Sequence, residues 1–64
     1  MTLGERVRMI RKRKGITQTE LAAAMRVAQS HMSKIEGNVV APKAEAILKI
    51  AKALDVPVSE LIGA

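Results

Sequence analysis

The sequence predicts an all-α domain, one bundle of five helices over residues 1–64. Three observations carry this. Apolar residues recur at helical spacing, as in Leu3, Val7 and Ile10, or Ile47, Ile50, Ala51 and Leu54. The segment TQTELAAAMRVAQSHMSKIEG, Thr17 to Gly37, opens on a helix-start signal and reads as two short helices joined by a tight turn. No stretch shows the two-residue alternation of a half-buried strand.

The first helix follows from the Leu3, Val7, Ile10 stripe, which Arg6, Arg8, Arg11, Lys12, Arg13 and Lys14 surround. Gly15 ends it, and the cations of its last turn suit the negative end of the helix dipole. The second helix begins at a T-x-x-E capping box, Thr17 and Glu20, and turns Leu21, Ala22 and Met25 inward. The third runs from about Gln29 to Glu36 on an apolar side made by Met32 and Ile35. Gly37-Asn38 breaks the chain, and Val39, Val40 and Ala41 form a loop that Pro42 closes. The fourth helix spans roughly Lys43 to Leu54, with Leu48 widening its stripe. After Asp55-Val56-Pro57, a short fifth helix, Val58 to Ile62, carries Val58, Leu61 and Ile62.

Sixty-four residues allow one domain. A chain this short buries only about 60% of its unfolded surface, so its stability margin is narrow. With no cysteine there is no disulfide, and a single histidine, His31, gives no reason to expect a metal ion. No cofactor motif is present, and one histidine without a cysteine or a glycine-rich phosphate loop gives no reason to expect catalysis. Dimerisation is the expected extra source of stability. No apolar run approaches the length of a membrane span. Charge arrives early, at Glu5, Arg6 and Arg8, and leaves no signal-peptide core, so the expected location is the cytoplasm. The chain stops soon after its last helix, which suits a complete small protein and a trimmed domain alike.

Charge and composition narrow the class of partner. Eleven Lys and Arg face six Asp and Glu, a net charge of +5. Such an excess suits a polyanionic partner and a plain solvated surface alike. The chain has no aromatic residue. Single strands and RNA loops are gripped mainly by stacking bases on rings, so duplex DNA is the expected partner. The third helix suits it. At about 100° per residue, Ser30 and Lys34 lie opposite Met32 and Ile35, Ser33 flanks them, and Gln29 sits in the first turn. Gln can bond adenine at two points, Lys can donate to guanine, and Ser can bond base or phosphate. Gln29, Ser30, Ser33 and Lys34 are therefore the candidate base contacts. The head of the second helix offers unpaired N–H groups and a positive dipole end beside Thr17 and Gln18, which suits a phosphate. Arg13 and the flanking His31, whose contact would strengthen on protonation, are further phosphate candidates.

These features together resemble the Cro/repressor-type helix-turn-helix family of phage and bacterial regulators. Thr17, Gln18, Glu20, Leu21, Ala22, Val27, Gln29, Ile35 and Glu36 carry the resemblance, with the first-helix stripe, Gly15, Pro42 and LKIAKALDVPVSEL extending it over nearly the whole chain. It implies a five-helix lambda-repressor-like DNA-binding domain that works as a homodimer on a palindromic operator, most simply as a repressor. It implies Gln18 on phosphate and Gln29, Ser30 and Lys34 on base edges. It adds Asn38 and Lys43 as phosphate contacts, and Arg11 with Glu36 as a partly buried salt bridge. The fifth helix, Val58, Leu61 and Ile62, is the expected dimer interface. A module of the same fold that binds a protein partner, such as an antitoxin, is the alternative. Several positions depart from the family pattern. Arg26 stands where a glycine is usual, Ala28 replaces a capping serine, and Lys43 and Pro57 replace the caps of the last two helices. Each lost cap costs about 0.5–2 kcal/mol.

Overall fold

A computed structural model describes residues 1–63. Five helices are present among them: α1 (Leu3–Arg13), α2 (Gln18–Met25), α3 (Gln29–Glu36), α4 (Ala44–Leu54) and α5 (Val58–Ile62). No strand occurs among the described residues.

The two N-terminal helices start on reciprocal capping boxes. Thr17 Oγ1 accepts from the Glu20 N–H at 3.0 Å, and the Thr17 N–H donates to Glu20 Oε1 at 2.8 Å. Thr2 and Glu5 repeat this at the head of α1, at 3.2 and 2.8 Å. Helices α3, α4 and α5 start at Ala28, Lys43 and Pro57 with no side-chain cap, as their residue types dictate. Four helix ends share one device. A residue in the left-handed conformation follows the helix, at Gly15, Arg26, Asn38 and Asp55. The next N–H then donates to the carbonyl five residues back: Ile16 to Arg11, Val27 to Ala22, Val39 to Lys34 and Val56 to Ala51. Arg26 therefore adopts the conformation usual for glycine, at φ +58°. The strain expected of a non-glycine residue is present in the turn between α2 and α3.

Val7, Ile10, Leu21, Ala22, Met32, Ile35, Ile50, Ala51, Leu54 and Leu61 form the buried core, with side chains from all five helices. Full burial of each large member contributes about 1.5–3 kcal/mol. Met25 lies at the core's edge, half-buried. Gly4 is buried where α1 passes the end of α3. A Cβ there would run into the Ile35 carbonyl oxygen and come within 2.7 Å of Asn38 Oδ1 and the Glu36 carbonyl oxygen. Leu61 is the inward member of α5, 0% exposed and packed inside the core. Its neighbour Ile62 is 56% exposed, and Val58 is half-buried. A five-residue helix set across the bundle turns one of its three large apolar residues wholly inward, and that residue is Leu61.

Candidate nucleic-acid interface

Helix α3 is held by its buried side and offers its other side to solvent. Met32, Ile35 and Glu36 are buried, while Gln29, Ser30, Ser33 and Lys34 are exposed. The helix is pinned by a buried ion pair. Arg11 Nε donates to Glu36 Oε2 at 2.8 Å, and Arg11 Nη2 donates to Glu36 Oε1 at 3.0 Å. A third bond, from Arg11 Nη1 to the Ile16 carbonyl at 2.9 Å, uses the remaining arm of the guanidinium. This fork-to-fork geometry fixes orientation as well as distance. It ties the last turn of α1 to the last turn of α3. No buried side-chain nitrogen or oxygen is left without a partner among the described residues.

The same carboxylate reaches the head of α2. Gln18 Nε2 donates to Glu36 Oε1 at 3.3 Å, and Gln29 Nε2 donates to Gln18 Oε1 at 3.4 Å. A chain of polar side chains thus runs from α1 through α3 to the first turns of α2 and α3. Gln18 is half-buried, so its amide is oriented before any ligand arrives. Thr17 is exposed beside it with its hydroxyl oxygen committed to the cap as an acceptor.

The other expected phosphate contacts are distributed unevenly. His31 and Lys43 are exposed and border one apolar cleft, lined by Met25, Val27, Ile35 and Val40, on the α4 side of α3. Asn38 is exposed at φ +62°, with its Oδ1 close against Gly4. Arg13 does not join this group. It borders the side of α1 that faces α5, with Met9, Ser59 and Glu60. Arg8 lies on the α3 side instead, where it shares a polar recess with Arg11, Gln18, Ser33 and Glu36. The sequence sets Arg8 among the cations around the first-helix stripe and assigns it no contact of its own. The signal was present: Arg8 lies three residues before Arg11, on the same helical face. Among the described residues no cluster of His, Cys, Asp and Glu could hold a metal ion, and no helix is long and apolar enough to cross a membrane.

Two consecutive helices, a left-handed turn and an exposed polar second helix define the local architecture. The helix-turn-helix family model matches residues 7–61. The chain belongs to the helix-turn-helix family. It is 33% identical over 63 residues to the immunity repressor protein of Bacillus phage phi105, covering 98% of this chain and 44% of that protein. It is 38% identical over 61 residues to the HTH-type transcriptional regulator SinR of Bacillus subtilis (strain 168), covering 94% of this chain and 55% of SinR. The chain thus spans about half the length of these relatives or less. Among solved structures, SinR, the master regulator for biofilm formation, in complex with DNA superposes with a TM-score of 0.87 at 37% identity, over 95% of this chain and 98% of that one.

Proposed function

We propose that this helix-turn-helix chain is a sequence-specific duplex-DNA-binding transcriptional regulator, acting as a homodimer on a palindromic operator in the cytoplasm. Helix α3 lies in the major groove. Gln29, Ser30, Ser33 and Lys34 meet base edges, where their donors and acceptors distinguish one base pair from another. Thr17, Gln18, Asn38 and Lys43 hold phosphates on either side of the groove, with Arg8 beside Gln18 and His31 beside Lys43. Two copies read half-sites about one helical turn apart, roughly 10 base pairs. Occupancy of such a site excludes polymerase from an overlapping promoter, which makes repression the simplest outcome.

One observation carries this reading. The four hydrogen-bonding side chains of α3 are all exposed on a helix whose opposite side is locked to α1 by the Arg11–Glu36 fork. A rigid helix that displays four adaptable polar groups beside a net charge of +5 is suited to a groove of negative potential. The names of the relatives and the SinR–DNA complex point the same way. In-vitro selection of bound duplexes from a randomised pool tests it. The expected product is an enriched palindrome whose affinity falls steeply with salt as counterions leave the backbone. A pool that stays unenriched at low ionic strength overturns the proposal.

A further inference from the structure

Val39 is the odd member of a repeated motif. Four apolar residues follow the left-handed helix ends: Ile16, Val27, Val39 and Val56. Such a residue commonly folds back on the helix it follows and buries its side chain there. Ile16, Val27 and Val56 do so and pack against the core. Val39 makes the same backbone bond, from its N–H to the Lys34 carbonyl at 2.8 Å, yet is 72% exposed. The inward role belongs to the next residue, Val40, which is half-buried against the core. Core packing therefore does not account for Val39.

Its position is well defined. The bond to Lys34 sets it one turn beyond the last exposed residue of α3. A Cβ built at Gly37 would lie 3.9 Å from Val39 Cγ2 and 3.2 Å from the Ser33 backbone carbonyl oxygen, so a Val39 methyl lies beside the C-terminal end of α3. The loop has little else to give a nucleic acid there. The N–H groups of Asn38 and Val39 are both committed to the cap of α3. Between Asn38 and Lys43 the residues are Val39, Val40, Ala41 and Pro42, with no cation.

We propose that Val39 is a specificity-determining residue that reads the C5-methyl group of a thymine at one end of each half-site. This rests on the DNA-binding reading above. The chemistry is direct: the major-groove edge of thymine carries a methyl group, and an apolar side chain distinguishes it by excluding water from both surfaces. The contact adds preference for thymine and no dependence on salt.

The test uses the selected operator and replaces each thymine in turn by deoxyuridine, which removes only the methyl. At one thymine per half-site the wild-type chain should lose about fourfold in affinity, the worth of one methyl taken out of water. V39A removes the contact from both copies of the dimer, so it should lose about the square of that, roughly sixteenfold, on the thymine operator and be indifferent to uracil at that position, with an unchanged salt slope. V39A keeps the exposed loop backbone, and an unchanged melting temperature shows that the fold is not the cause. If the losses from V39A and from uracil add at every thymine, or if V39A binds as well as wild type, Val39 does not read DNA. Failure of the wider reading looks different, because the wild-type chain would then enrich no duplex at all.

Discussion

Arg11 and Glu36 are 8% and 7% exposed, and each is satisfied chiefly by the other. Removing one partner leaves the other charged and buried, which costs about 3–5 kcal/mol. A domain of this size holds no more than that in total, about 3–5 kcal/mol. Glu36→Ala is therefore expected to unfold most of the protein at 25 °C, read as a collapsed urea midpoint and lost helical circular dichroism. Lys34→Ala should behave in the opposite way. Its side chain is exposed, so the melt should not move, while operator binding weakens by about 1–3 kcal/mol and preference relaxes at one base position. Selection that returns the same site for both proteins would remove Lys34 from the reading surface. At this scale the sequence was unevenly legible. The outward residues of α3 follow from helical geometry alone, because a single helix has a fixed period. The fork does not, because its residues lie 25 apart and no local pattern links them. Only the family resemblance pointed to it. The bond from Gln18 to the same carboxylate had no sequence signal.

Helix ends are where this chain departs furthest from an ideal sequence. Arg26 holds φ +58° in the turn between α2 and α3, a conformation that costs a side-chain-bearing residue about 1–2 kcal/mol. Glycine removes that strain but loses more entropy on folding, about 0.5–1 kcal/mol. Arg26→Gly should therefore stabilise by a net 0.5–1 kcal/mol, about 4 °C in melting temperature. Ala28→Ser gives α3 the hydroxyl cap it lacks and should add about 1 kcal/mol more. Thermal melts of both variants and their combination check the two values. A lowered midpoint for Arg26→Gly would mean that the arginine side chain stabilises the turn. The capping boxes make a pH prediction. The Thr17 and Thr2 backbone N–H groups, and then their hydroxyls, hold the Glu20 and Glu5 carboxyls below their ordinary value of 4.5. A carboxyl lowered in the folded state stabilises above its unfolded value and loses that contribution as pH falls through the folded one. Stability should thus decline below about pH 4.5 in part through these caps, and Glu20→Gln should flatten that decline. Both caps are exposed, so the effect is modest. The second helix was legible from Thr17 and Glu20, whereas the equivalent box at Thr2 was obscured by Gly4, which weakens the helical pattern at the start of the chain. Asp55 as a left-handed helix end was also hidden, because Asp-Val-Pro reads simply as a break.

On the scale of the whole molecule, the bundle closes around a core drawn from all five helices, yet some large apolar groups stay outside it. Leu48 on α4 and Ile62 on α5 are 57% and 56% exposed. Five helices of periodic sequence made the architecture legible, because each stripe can be buried only against the others. The surface that faces a second copy was less legible. Val58, Leu61 and Ile62 span barely one turn and a half of helix, too little for periodicity to separate an inward residue from an outward one. The geometry now divides them, and the proposed homodimer can be tested through that division. Ile62→Glu sets a charge on an exposed position, so the monomer should keep its melting temperature. In a dimer seam the same carboxylate would be desolvated without a partner, which costs more than the methyl groups it replaces contributed. Dimerisation should weaken sharply, and operator affinity should fall by more than tenfold at protein concentrations where wild type is paired. Binding to an isolated half-site should stay as it was. Leu61→Glu supplies the contrast, since a charge at a fully buried position destroys the fold itself. Sedimentation equilibrium and mobility shifts on full and half operators separate the cases. A dimer of undiminished strength in Ile62→Glu would show that the copies meet through another face.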